Sequence, residues 1–253
     1  MQKLFVEKHG SGAGVLLLHG LLSDHRQMKP LLRSLRGHTV YMVDLIGCGK
    51  SDKIPSTSMV RECVEALEQL CRANDIKIVI GYSIGGVLAL HLRLQHTILI
   101  SSFCTTPLAA GPLHRFYGRE RELQHLLLTN RQAVTRLLHG TLPDDMFVPG
   151  TREASVDCAL QYLWDAHEDH SLLAQRLPHT LVIHGTRDTL INYAMGIELA
   201  TQAHAPILFV PEGHFSILRN ETVLGAIKKF LVGLSALPAR ARERVAQAAQ
   251  AGS

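Results

Sequence analysis

Ile76-Lys77-Ile78-Val79-Ile80-Gly81-Tyr82-Ser83-Ile84-Gly85-Gly86-Val87-Leu88-Ala89-Leu90 decides the fold. Ile76, Ile78, Val79 and Ile80 are β-branched and apolar, which predicts a buried strand over Ile76 to Ile80. Val87 onward is apolar with no further breaker, which predicts a helix from Ile84 to Gln95. Between them stands G-x-S-x-G, Gly81 to Gly85. A serine that projects from a sharp strand-to-helix turn needs crowd-free neighbours, and Gly81 and Gly85 supply them by lacking a Cβ. Ser83 then stands at a helix N-terminus, where free N–H groups favour developing negative charge. The motif alone is a modest signal; the strand before it and the helix after it give it weight.

Outward from this stretch the same kind of run recurs: Gly14 to Leu18, Val40 to Val43, Thr97 to Ile100, Leu181 to Ile183 and Ile207 to Val210. Each is continuously apolar rather than alternating, the pattern of strands covered on both faces in a parallel sheet. Helix-length segments lie between, at His25 to Arg36, Ser58 to Asn74, Tyr193 to Ala203 and Glu221 to Leu234, and Leu4-Phe5-Val6 suits an antiparallel edge strand. The alternation predicts an open α/β sheet, mostly parallel and twisted, with helices on both faces. The rhythm breaks over 102–170, where Pro107, Gly111, Pro112, Gly140, Pro143, Pro149 and Gly150 punctuate helical patterns. That region is expected to be a helical lid inserted into a core formed by 1–101 and 171–236. The remaining 237–253 are expected to be a frayed helix or disordered tail.

A serine hydroxyl is a weak nucleophile and needs a base. Leu181-Val182-Ile183-His184-Gly185-Thr186-Arg187-Asp188 offers a strand, a glycine turn and an acid; Ile207-Leu208-Phe209-Val210-Pro211-Glu212-Gly213-His214 offers a strand, a glycine and a base. Ser83, Asp188 and His214 thus follow in the order Ser…Asp…His, each just past a strand. Leu16-Leu17-Leu18-His19-Gly20-Leu21-Leu22 is a strand ending in His-Gly. Gly20 lets the chain turn so that the N–H of Leu21, with Leu22 in reserve, joins that of Ile84 in an oxyanion hole. Leu22, Tyr82, Phe103 and Phe215 are the candidate substrate-binding residues, with Cys104 beside Phe103 or simply buried.

His19-Gly20, Asp44 with Gly47-Cys48-Gly49-Lys50-Ser51-Asp52, Gly81-Tyr82-Ser83-Ile84-Gly85-Gly86, Gly185-Thr186-Arg187-Asp188 and Gly213-His214 together resemble the α/β-hydrolase superfamily, in the right order across the core. Within it the chain resembles the small-lid serine esterase branch. That branch includes carboxylesterases that cleave pimeloyl-carrier-protein methyl esters and menaquinone-pathway enzymes that eliminate pyruvate. The resemblance implies an α/β-hydrolase fold and a serine hydrolase. Its substrates would be carboxylic esters or thioesters of small to medium acyl groups, cleaved through an acyl-enzyme, with no cofactor and no metal. The alternatives are a lyase or C–C bond hydrolase using the same three residues, and a non-catalytic ligand receptor, which would have no need of the base.

Other features have plainer readings. Of 15 histidines, His19 is expected to bond the oxyanion loop and His184 to pack behind Asp188. His167-Glu168-Asp169-His170 is not H-E-x-x-H and suits a solvated helix end. Asp44 and Asp52 are expected to fix loops through backbone hydrogen bonds. The Gly47 to Ser51 stretch lacks phosphate-loop spacing. In the lid, Arg115, Arg119, Arg121, Arg131 and Arg136 could receive an anionic substrate group or a carrier-protein surface, or could form salt bridges within the lid.

Composition narrows the classes further. The 253 residues are 46% hydrophobic and 19% charged, which excludes bulk disorder. No apolar run approaches the ~18 residues of a membrane span. A net charge of +4 without a basic block argues against a nucleic-acid partner. Five cysteines without a CxxC, and a start lacking the apolar stretch of a signal peptide, predict reduced thiols in a cytoplasmic protein.

Overall fold

The apolar runs become the strands of one sheet. The computed structural model describes residues 2–53, 56, 58–104, 158–159, 161–163, 165, 177 and 179–236. Among these, β1 (Phe5–Gly10), β2 (Ala13–Leu18), β3 (His38–Asp44), β4 (Ile78–Tyr82), β5 (His96–Ile100), β6 (Thr180–Gly185) and β7 (Ile207–Val210) pair in the order β1-β3-β2-β4-β5-β6-β7. Every pairing is parallel except that of β1 with β3, where Phe5 lies opposite Asp44. β4 is therefore the central strand, and the serine motif sits at its C-terminal end.

Continuous hydrophobicity is explained by two covered faces. Leu16, Leu18, Val43, Val79 and Leu99 face one apolar cluster with Cys63 and Leu67 of α1 (Met59–Ala73), Val87 and Leu88 of α2 (Ile84–Leu92) and Leu199 of α3 (Tyr193–Gln202). Val15, Leu17, Met42, Ile80 and Ile98 face the other. There they meet Met28 and Leu31 of a 3₁₀ stretch (His25–Ser34) and Val223 and Ile227 of α4 (Glu221–Ala236). Alternate residues of one strand point to opposite faces. Each Leu, Ile or Val so buried contributes about 1.5–3 kcal/mol.

Three departures from the sequence reading have identifiable physical causes. The third run opens at Ile78 rather than Ile76. Asp75 takes a left-handed φ of 50° and the Ile76 N–H donates back to Cys71 O, so Ile76 closes the end of α1 instead of starting β4. His25–Ser34 is 3₁₀ rather than α-helical. Pro30 lies inside it, has no N–H to give and crowds the preceding turn. Finally, α2 stops at Leu92 because Arg93 turns left-handed, φ 47° and ψ 41°. The expected lid, 102–170, falls outside the described residues except for 102–104, 158–159, 161–163 and 165, and the tail 237–253 falls wholly outside them. All five cysteines are buried thiols outside any disulfide. No described helix is long and apolar enough to cross a membrane.

Two buried histidines, His19 and His184, and the half-buried His96 are expected to make the fold acid-sensitive. His96, at the start of β5, packs edge-on to His179 with ring centroids 5.4 Å apart. Burial first, and then the charge of His179, lower its pKa to about 4. Burial likewise lowers His19 and His184. For groups depressed in the folded state, the contribution to stability is whole above the unfolded value of about 6.5 and is lost as pH falls below it. The thermal midpoint should therefore fall between pH 7 and pH 5, and His96→Gln should flatten that slope. A scanning-fluorimetry slope identical in the two proteins would contradict this assignment.

Candidate active site

Ser83 occupies the corner between β4 and α2 with φ 55° and ψ −124°, a left-handed conformation that strains a residue bearing a Cβ. Its backbone is held on both sides: the Ser83 N–H donates to Ile100 O (3.0 Å), and Ser83 O accepts from the Gly86 N–H (2.9 Å). The two motif glycines allow the corner to close. A Cβ on Gly81 would lie on the Gly85 carbonyl and Gly86 Cα, and one on Gly85 would lie on the carbonyl oxygens of Leu18 and His19. The first turn of α2 thus rests on the end of β2 with only backbone between them.

The acid and the base arrive from two neighbouring strands. Beyond β6 the chain turns, with the Asp188 N–H donating to Gly185 O (3.2 Å). Oδ1 of Asp188 accepts the N–H groups of Leu190 (3.0 Å) and Ile191 (2.9 Å), and Oδ2 lies 2.7 Å from Nδ1 of His214. Both side chains are buried. Burial raises the Asp188 pKa. The hydrogen bond and charge of His214 and the two backbone N–H groups more than offset this, holding the group below its usual value. A carboxylate has no proton to donate, so the shared proton belongs to Nδ1, and the neutral ring keeps its lone pair at Nε2.

Two further contacts position this pair. The Tyr82 hydroxyl donates to His214 O (2.8 Å), and the two rings pack at 5.0 Å between centroids. The residue immediately before Ser83 therefore grips the backbone of the histidine. Nε2 of His184 donates to Ile191 O (2.9 Å), securing the segment whose N–H groups hold Asp188. Phe215 meets the His214 ring edge-on at 5.4 Å and is 51% exposed.

The loop after β2 is braced from below. Nε2 of His19 accepts the Leu45 N–H (3.0 Å), so Nδ1 carries the proton and donates to Gly20 O (2.6 Å). Burial lowers the His19 pKa, so the ring remains a neutral strut. The Gly20 N–H donates to Oε1 of Gln27 (2.8 Å). Leu22 follows at φ 56°, buried, and Leu21 is half-buried against the α1–α2 cluster. Asp44 is fully buried. Its Oδ1 accepts from the His25 N–H (2.7 Å) and from His25 Nδ1 (2.6 Å), its Oδ2 from the Lys50 N–H (2.7 Å), and its carbonyl from the Ser51 hydroxyl (2.5 Å).

Asp24, His25 and Asp44 are the one group among the described residues whose ligand atoms, within 4.8 Å of one another, could hold a metal ion. Those atoms are already engaged, Asp24 by Arg26 and His25 by Asp44 and, at 3.1 Å, Glu7. The cluster has the form of a hydrogen-bonded brace beneath the loop.

Among the sequence-derived candidates, His214 and Asp188 are brought into contact, and Ser83 and Ile84 open α2 beside Tyr82. Phe103 and Cys104 are buried in the cluster around α1 and α2. Tyr82, expected to line a pocket, lies beneath His214, 1% exposed. The lid arginines and His167 to His170 lie outside the described residues. The sequence reading missed Gln27 and the Tyr82 grip. Neither leaves a local signal: Tyr82 reaches a residue 132 positions away, and the Gln27 contact depends on how the 3₁₀ stretch packs against the loop after β2.

The alpha/beta hydrolase family model matches residues 15–226, a span that contains Ser83, Asp188 and His214. The pimeloyl-[acyl-carrier protein] methyl ester esterase of Vibrio cholerae is 30% identical over 127 residues, 50% of this chain and 48% of that protein. The Xylella fastidiosa protein of the same name is 33% identical over 89 residues, 35% and 34%. The matched stretch thus spans between a third and a half of these relatives. A solved thermophilic esterase from Thermogutta terrifontis superposes with a TM-score of 0.70 over 92% of this chain and 94% of its own, at 22% identity, a likeness of fold. Because the family match covers most of the chain, and the sheet order and elbow agree with it, the chain belongs to the alpha/beta hydrolase family.

Proposed function

We propose that the protein is a serine esterase that cleaves carboxylic esters or thioesters of small to medium acyl groups. The observation that carries this reading is the Asp188–His214 hydrogen bond, tied through Tyr82 to the strained corner that presents Ser83. His214 takes the Ser83 proton at Nε2 while Oγ attacks the ester carbonyl. Asp188 fixes the tautomer and stabilises the imidazolium. The tetrahedral oxyanion needs N–H donors that are not already committed. The Gly20 N–H goes to Gln27 and the Ser83 N–H to Ile100, which supports Leu21 and Ile84 as the donors. His214 then protonates the leaving alcohol, and water repeats the cycle on the acyl-enzyme.

The relatives named for methyl esters on an acyl-carrier protein suggest the finer class: a methyl ester of an acyl chain borne on a carrier protein. Steady-state rates over a p-nitrophenyl ester series of increasing acyl length test the general reading. Short and medium chains should be cleaved faster than long ones, and absence of turnover on every ester would contradict it. Methanol release from a carrier-linked methyl ester, compared with the same acid as a free methyl ester, tests the finer one. The carrier-linked form should be preferred, and equal or lower kcat/KM on it would remove the carrier from the proposal.

A further inference from the structure

We propose that Ser102 is a positioning residue that aims the Ile84 N–H, and so sets one half of the oxyanion hole. The inference rests on the serine-esterase reading above and extends it to a residue outside the catalytic set.

A trans peptide is planar, so the carbonyl of residue 83 and the N–H of residue 84 share one plane and point opposite ways. Whatever holds Ser83 O therefore fixes the direction of the Ile84 N–H. The Ser102 hydroxyl donates to Ser83 O at 2.9 Å, and Ser102 is fully buried. The Gly86 N–H, which also donates to that oxygen, belongs to the first turn of α2 and moves with it. Ser102 is the tie to a different strand.

The surroundings are shaped to bring that hydroxyl in. Ser101 turns left-handed at the end of β5, φ 43°, and its N–H is anchored on Ile183 O (2.9 Å). This turn sends Ser102 back under the elbow. Gly86 leaves the space: a Cβ there would fall on the Cβ and Oγ of Ser102. Two residues before Ser102, Ile100 O takes the N–H of Ser83. The corner Ile100–Ser102 thus grips Ser83 by its amide on one side and its carbonyl on the other, which gives the second glycine of Gly85-Gly86 a purpose. Without the hydroxyl, the 83–84 peptide keeps only its bonds within α2 and can rock, carrying the oxyanion donor off line.

The test compares wild type, Ser102→Ala and Ser102→Cys on p-nitrophenyl butyrate, with kcat expressed per site titrated by a fluorophosphonate. Affinity for a trifluoromethyl ketone, whose hemiketal places an oxyanion in the hole, is measured alongside. Loss of a whole oxyanion donor costs about 10²–10³ in kcat, so a misaimed one in Ser102→Ala should cost about tenfold, with KM changed by less than about twofold. The ketone should weaken by the same factor as kcat. Ser102→Cys, which keeps a weak donor, should lose less than Ser102→Ala. Full kcat per titrated site in Ser102→Ala would overturn the proposal, as would an activity loss due entirely to fewer titratable sites. If Ser102→Ala does not fold, Ser102→Cys decides: a kcat per site reduced about threefold or more, with KM held, supports the proposal, and wild-type kcat overturns it. A wild type that neither turns over esters nor is titrated at Ser83 would overturn the esterase reading and this proposal with it. That result is distinguishable from a titratable, fully active Ser102→Ala.

Discussion

Ser83→Ala is expected to lower kcat for ester hydrolysis by about 10⁴- to 10⁶-fold, leaving only what binding and the oxyanion donors supply. The protein should stay folded. The corner is held by the Ser83 backbone, through Ile100 O, the Gly86 N–H and the Ser102 hydroxyl, and all three contacts survive the substitution. Alanine also keeps the Cβ, so the strain at φ 55° is unchanged and the thermal midpoint should move little. Ser83→Gly should be equally inactive but more stable than Ser83→Ala, because glycine adopts positive φ without the steric cost. Activity of Ser83→Ala above about a hundredth of wild type, in protein free of contaminating esterase, would place the chemistry elsewhere.

Asp188→Asn should reduce kcat by about 10³- to 10⁴-fold for a reason specific to this geometry. Oδ1 of Asp188 accepts two backbone N–H groups, from Leu190 and Ile191. An asparagine must put its carbonyl oxygen there, which turns its NH₂ group toward Nδ1 of His214. A donor facing Nδ1 forces that nitrogen to accept, so the ring proton moves to Nε2. A ring protonated at Nε2 cannot take the hydrogen of Ser83. The loop itself keeps both of its hydrogen bonds, so circular dichroism and thermal stability should resemble wild type while turnover collapses. Retention of more than about a tenth of wild-type kcat would show that the tautomer is not set by Asp188.

The catalytic candidates can be read from the sequence because each is announced locally. Ser83, Asp188 and His214 each follow an apolar run and a glycine, and parallel strands deliver such positions to one edge of the sheet. The two-sided burial of β2 to β6 is legible for a related reason: a short run with no polar residue on either side of the pleat leaves no face for water. The supporting contacts are not legible. Tyr82 reaches across to His214 O, Ser102 to Ser83 O, and Gln27 to the Gly20 N–H. These are single hydrogen bonds set by how the segments pack, and a serine or tyrosine in an apolar stretch gives no hint of its partner. Asp44 reads as a loop-fixing acid, but its bonds with His25 emerge only once β3 and the 3₁₀ stretch are packed together. The boundary differences have local physical causes: Asp75 and Arg93 turn left-handed without being glycine, and so end their helices where composition gives no signal.

His214, held by Asp188, is proposed to activate the Ser83 hydroxyl. The most direct test of this step is the rate at which a fluorophosphonate adds to the intact protein, followed by mass spectrometry in wild type and His214→Ala. The expected result is a single adduct on the peptide containing Ser83, formed at least about 10³-fold more slowly without the imidazole. An adduct on another residue, or labelling of Ser83 at the same rate in both proteins, would contradict it.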